Sequence, residues 1–175
     1  MYTPKEQAVL DRIIEVEGGW VNNPVDHGGP TNLGITLRVL QNYRPAATVT
    51  DLIDLTVDEA QAIYYADYVK PFTIIEHDEI FNFVCQSAVQ HGPATAIRLL
   101  QTACNALHAT TPLAVDGNFG PETKRVVSRC VTFSACRLYC ELIRARARYY
   151  ANILQGDSSQ RVFAAGWFNR LAADI

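Results

Sequence analysis

The run from Gly18 to Thr36, GGWVNNPVDHGGPTNLGIT, constrains this chain more than any other stretch. Its glycines, prolines, asparagines and aspartate exclude a helix and leave a tight loop or small hairpin layer, with apolar islands only at Trp20-Val21 and Leu33-Gly34-Ile35. The segment before it is sharply different. Thr3-Pro4-Lys5-Glu6 is a capping box with proline at the first helical position, and Val9, Leu10, Ile13, Ile14 and Val16 come after it at helical spacing. Gly18-Gly19 stops that helix, so Glu17 stands on its last turn at the mouth of the loop.

The rest of the chain reads as helical. A second capping box, Thr56-Val57-Asp58-Glu59, opens a helix expected to run through Tyr68 to Pro71. Further helices are expected over Asp78 to His91 and Ala94 to Leu107, the latter burying Ile97, Leu99, Leu100, Cys104 and Leu107. Turn chemistry at Asp116-Gly117-Asn118-Phe119-Gly120-Pro121 precedes a short helix opening at Glu122. Ser134 to Leu154 reads as the largest helix, with Leu138, Ile143, Ala147 and Tyr150 inward and Arg137, Arg144, Arg146 and Arg148 outward. The expected fold is therefore mainly α, with a small irregular or β layer after the first helix.

Composition narrows the class. A chain of 175 residues, 49% hydrophobic, can bury a substantial core. No stretch reaches the roughly 18 apolar residues of a membrane span, so stable membrane insertion is not expected. The first 15 residues carry Lys5, Glu6, Asp11 and Arg12 where a secretory signal needs a continuous apolar core, so synthesis in the cytoplasm without a signal peptide is expected. Five cysteines without framework spacing read as thiols, mostly buried, and Cys136 and Cys140, four apart on one helix face, as packing residues. No His-Glu-x-x-His or Cys-x-x-Cys is present, so neither a metal nor another cofactor is expected. Residues 1–80 hold 5 basic against 13 acidic side chains, whereas residues 81–175 hold 10 against 5. The basic half suits a polyanion such as a bacterial envelope, or simply a solvated arginine-rich helix face. With pI near 5.8 and no recognition motif, nucleic acid is not an expected partner.

A carboxyl group at the C-terminal end of a helix meets the partial negative charge of unpaired carbonyls, and apolar surface such as Trp20 reduces its solvation. Both favour the protonated acid, the form a glycosidase needs to donate to a leaving glycosidic oxygen. Asp26, nine residues on, could stabilise an oxocarbenium ion or orient a water, and Thr31 could hold that water. Asp26 before His27-Gly28-Gly29 is equally suited to an Asx turn.

The whole run from Glu17 to Thr36 resembles the signature of the glycoside hydrolase family 108 muramidases, in which Glu-Gly-Gly leads into Asp-x-Gly-Gly-x-Thr-x-x-Gly-Ile-Thr. The resemblance extends to Leu55 through Tyr68, Leu99-Leu100-Gln101, Val115 through Thr123, and Gly166-Trp167-Phe168-Asn169-Arg170. Around the third helix it departs, with Gln86 and Gln90 where relatives often have Asp and Asn.

The resemblance implies a lysozyme-like catalytic region over 1–93 and a helical, predicted peptidoglycan-binding region over 94–175, packed together as one unit. It implies Glu17 as catalytic acid with Asp26 and Thr31 in the site, peptidoglycan as substrate, and cleavage of the β-1,4 bond between N-acetylmuramic acid and N-acetylglucosamine. Trp20 and Tyr43 are candidates to stack on sugar rings, His27 to bind a sugar or an acidic group of the peptide stem, and Asn22 and Thr36 complete the candidate substrate-binding set. Trp167, flanked by Phe163 and Phe168, reads as a core anchor for the C-terminus.

A wall-binding protein with a vestigial site, a chitinase-like enzyme and a wall amidase or peptidase are the competing readings. A phage endolysin, a secretion-associated muramidase and an injected effector all fit a monomer that reaches the periplasm or wall by lysis, export or injection. Only the effector implies an immunity protein as partner.

Overall fold

Helix α1 spans Pro4–Glu17 and opens as its capping box requires, with the Thr3 amide donating to Glu6 Oε2 at 2.7 Å. In this computed structural model, which describes residues 1–21, 29–107 and 112–173, the chain is mainly helical. Among those residues the β structure is one small hairpin, β1 (Thr31–Asn32) and β2 (Ile35–Thr36), and an isolated bridge from Val21 to Thr31. The architecture is the mainly α, lysozyme-like one expected. The chain divides into two compact units, Met1–Pro71 and Phe72–Ile175.

In the first unit, Val9, Leu10 and Ile13 of α1 are buried, as are Ile35, Leu40, Leu52, Ala60, Ile63 and Tyr64. Two short helices, α2 (Leu37–Tyr43) and α3 (Val49–Ile53), occupy a stretch for which periodicity gives no assignment, because five or seven residues are too few to show one. Their N-caps, Thr36 and Thr48, are the legible part. The buried Asn32 amide donates to the Leu52 and Ile53 carbonyls at 2.9 and 3.0 Å, so the hairpin is tied to the carbonyl end of α3. Gln61, also buried, donates to Asp11 Oδ1 at 2.9 Å and joins α4 (Val57–Tyr64) to α1.

Here the structure corrects one expectation. The helix opened by Thr56 does not run on to Pro71 in α form; it widens into a π-helical segment, Tyr65–Val69, and then tightens into a 3-10 turn, Lys70–Phe72. Pro71 lacks the amide that would continue the ladder, and the wider π turn holds Val69 fully buried.

The second unit is built from α5 (Asp78–His91), α6 (Pro93–Leu107), α7 (Pro121–Gly156) and α8 (Arg161–Ala173). The expected short and long helices meet at Ser134, whose non-helical backbone (φ −155°, ψ 36°) kinks α7 into two helical segments. Before it, the buried Gln101 side chain donates to Asp116 Oδ1, the Asn118 carbonyl and Thr123 Oγ1, while its oxygen accepts from the Gly117 amide. The Asp116–Gly120 segment is thus a turn clamped from inside the fold.

Two further expectations fail on α7. Arg146 is fully buried: Nε donates to Tyr150 Oη at 2.7 Å, a terminal nitrogen donates to Gln90 Oε1, and the guanidinium lies 5.1 Å from the Phe83 ring centre. Helical spacing alone cannot distinguish an arginine that pairs inward from one that faces solvent. Cys136 and Cys140 are exposed, because α7 turns that face away from its neighbours, while Cys85, Cys104 and Cys130 are buried. Trp167 stacks on Tyr150 at 5.4 Å and Phe163 lies 6.3 Å from it, so α8 docks on α7, but Trp167 is half-buried and Phe163 and Phe168 are exposed, so it is not the core anchor expected.

His91 closes this core, its Nε2 lying 3.2 Å from Tyr150 Oη. Burial first, then the charges of Arg146 and Arg170, lower its pKa to about 4. Histidine is neutral in the fold and gains a proton on unfolding below its ordinary value near 6.5. Its contribution is therefore full above about pH 6.5 and lost as pH falls toward 4. Chemical denaturation between pH 7 and 4 is expected to show native stability falling more steeply than that of His91→Gln; equal slopes would contradict this.

Candidate active site

Glu17 is placed by the glycine after it. Gly18 adopts φ 74°, ψ −163°, a conformation that essentially only glycine occupies, and its amide still reaches Ile14 O at 3.3 Å. The chain thereby leaves the helix in a single residue. It then pairs antiparallel with β1, Val21 N to Thr31 O at 2.8 Å and Thr31 N to Val21 O at 2.9 Å. Asn22, Asp26 and His27, three of the expected site residues, fall within 22–28 and lie outside the described residues.

The hairpin reaches back to Glu17. Its two-residue turn has positive φ at both positions, Leu33 at 50° and Gly34 at 74°, the pattern of a type I′ turn. The Leu33 conformation costs about 1–2 kcal/mol for a residue with a Cβ. It is held by the Tyr64 hydroxyl, which donates to the Leu33 carbonyl at 3.0 Å. Gly34 has no room for a side chain, since a Cβ there would sit 2.4 Å from Tyr64 Oη, 2.8 Å from Glu17 Cβ and 3.0 Å from Glu17 Oε2. The carboxyl group and the phenol therefore meet at the Gly34 backbone.

Two tyrosines complete this wall, and helical spacing marks neither as more than a helix-face residue. Tyr64 and Tyr68 have ring centres 5.9 Å apart. Burial first, then the charge of Glu17, raise the Tyr64 pKa, and burial, Asp67 and Glu17 raise that of Tyr68. Both phenols stay protonated beside the carboxyl group and can serve as hydrogen-bond donors. The signal available in the sequence is the cluster Tyr64, Tyr65 and Tyr68 at the end of a capped helix.

The other expected residues have these settings. Trp20 is 40% exposed just past the helix exit, free to meet a ligand face. Thr31 stands opposite Thr36 in the hairpin register, both on the face away from the buried Asn32 and Ile35. Thr36 Oγ1 accepts the Val39 amide at 3.2 Å and so caps α2. Tyr43 donates to Asp67 Oδ1 at 2.5 Å, and burial together with that bond pushes its pKa up to about 12. Among the described residues no cluster of three or more His, Cys, Asp or Glu could hold a metal ion. The site offers a carboxyl group, the Tyr68 phenol as a donor and a flat glycine surface, an arrangement suited to proton transfer to a bulky substrate.

Comparisons with known proteins agree with this chemistry. Residues 10–92 match the family model described as Glycosyl hydrolase 108, and residues 95–172 match that of a Predicted Peptidoglycan domain. The solved structure of Brucella abortus SagA superposes with a TM-score of 0.72 at 26% identity, over 97% of this chain and 90% of that one. No curated protein matches the chain.

The close approach at Gly34 is testable without substrate. Gly34→Ala is expected to cost roughly 2–4 kcal/mol, combining overpacking with a methyl-bearing residue at positive φ. Urea denaturation measures it, and an unchanged midpoint would contradict the contact with Glu17 and Tyr64.

Proposed function

We propose that this chain is a peptidoglycan hydrolase, an N-acetylmuramidase acting through Glu17, because residues 10–92 match the glycosyl hydrolase 108 model and residues 95–172 match that of a predicted peptidoglycan domain. The observation that carries the reading is the junction at Gly34, where the carboxyl group of Glu17 is fixed beside a buried phenol on a surface without side chains. A sugar chain can approach such a surface closely.

Glu17 donates its proton to the oxygen that links N-acetylmuramic acid to N-acetylglucosamine. The bond from the muramic acid C1 to that oxygen breaks, and the leaving sugar departs as an alcohol. Positive charge spreads over C1 and the ring oxygen. A water positioned by Asp26 or Thr31 adds to C1 and gives up a proton to a carboxylate, which restores the charge balance. Trp20 and Tyr43 supply aromatic faces to the sugars, and Asn22, His27 and Thr36 contact their polar edges. The substrate lies in the bacterial wall, and no described helix is long and apolar enough to cross a membrane.

Glu17→Gln preserves shape and removes the transferable proton. Release of reducing ends from purified peptidoglycan is expected to fall by about 10²–10⁴-fold, the usual worth of general acid catalysis. Thermal unfolding should be nearly unchanged. A variant that hydrolyses the wall at the native rate would remove Glu17 from this role.

A further inference from the structure

We propose that a groove between α6 and α7 binds the carboxylate-bearing peptide stem of peptidoglycan, an inference that rests on the wall-hydrolase reading. The groove has a volume of about 360 Å³, within the range of small-ligand sites. Its floor is apolar, formed by the buried Leu99 and Ala145. Above the floor, α6 sets Arg98 next to Leu99, and α7 sets Arg148 next to Tyr149, so each helix brings one guanidinium to the same trough. On α7, Ala145, Arg148, Tyr149 and Asn152 stand at intervals of three, four and seven residues, which puts them on one helix face.

Both guanidinium groups belong to exposed residues, that of Arg98 lying beside Gly117. Arg125 and Arg144 on α7 pair with Glu122 and Glu141, and Arg146 is buried on Gln90 and Tyr150. Arg148 has no hydrogen-bond or ion-pair partner among the described residues, and Arg98 no side-chain hydrogen bond. Asp116 is the nearby carboxylate; its charge interacts with Arg98, while its Oδ1 accepts from Gln101 Nε2 and the Asn118 amide, both at 2.8 Å. Glycan strands present hydroxyl and acetamide groups to such a trough, whereas the peptide stem presents carboxylates, which match the fork of arginine bidentately. Tyr149 and the apolar floor suit the short aliphatic side chains between those carboxylates, and Asn152 can pair with the peptide backbone.

The Glu17→Gln protein, which should not degrade its ligand, is titrated with sacculi freed of phosphate polymers and with the same glycan stripped of stems by an amidase. Intact sacculi should bind at least about tenfold more tightly, on the order expected for charge-assisted hydrogen bonds. Adding R98Q and R148Q should bring intact sacculi down to the stripped level, with each single substitution intermediate and thermal unfolding unchanged. Rising salt should narrow the gap. Equal affinity for the two substrates, or R98Q/R148Q binding like its parent, overturns the groove assignment. Reducing-end release by the native protein, scored separately, would in that case still support the hydrolase. No binding to either substrate overturns the groove, and absent glycan cleavage as well overturns both readings.

Discussion

The first unit depends on one close approach, the Gly34 backbone against the Glu17 side chain and the Tyr64 hydroxyl. A helix end is ordinarily a poor place to fix a functional group, because the last turn frays. Here the next element folds back and packs on it. Gly18 lets the chain leave α1 in one residue, the Val21–Thr31 bridge returns it, and Asn32 anchors the hairpin to the carbonyls of α3. Tyr64 then holds the strained turn by its Leu33 carbonyl. The positive-φ turn and the hydrogen bond that holds it stand beside the carboxyl group.

The parts legible in the sequence were those with local causes. The capping boxes at Thr3 and Thr56 fixed two helix starts, glycine and proline marked the ends of α1 and α5, and the glycine-rich run announced an irregular layer. The parts that stayed hidden have non-local causes. Whether Arg146 turns inward depends on Gln90 and Tyr150 being there to receive it, and residue 90 lies 56 positions away. Cys136 and Cys140 are exposed, a matter of tertiary packing rather than spacing. Tyr64 and Tyr68 read as ordinary helix residues until the hairpin tip arrives beside them. For the candidate site itself, residue type at Glu17 said little; the length of the motif around it supplied the inference, and the contact at Gly34 supplies its physical basis.

In the second unit the segments that match the peptidoglycan-domain model divide into two physical roles. Gln101, Asp116, Gly117 and Asn118 are bound to one another and shape a turn, so their pattern is explained by folding. Arg148 has no such partner among the described residues, and Arg98, beside Gly117 and Asp116, makes no side-chain hydrogen bond. A polar residue engaged inside a structure and a polar residue left facing a trough look alike in a sequence, and the hydrogen-bond accounting separates them.

The end groups of the products report directly which bond is cut. Peptidoglycan digested by the native protein, reduced with borohydride and analysed by mass spectrometry, should yield fragments ending in reduced N-acetylmuramic acid. Fragments ending in reduced N-acetylglucosamine, or new free amino groups without any reduced sugar, would contradict the muramidase reading.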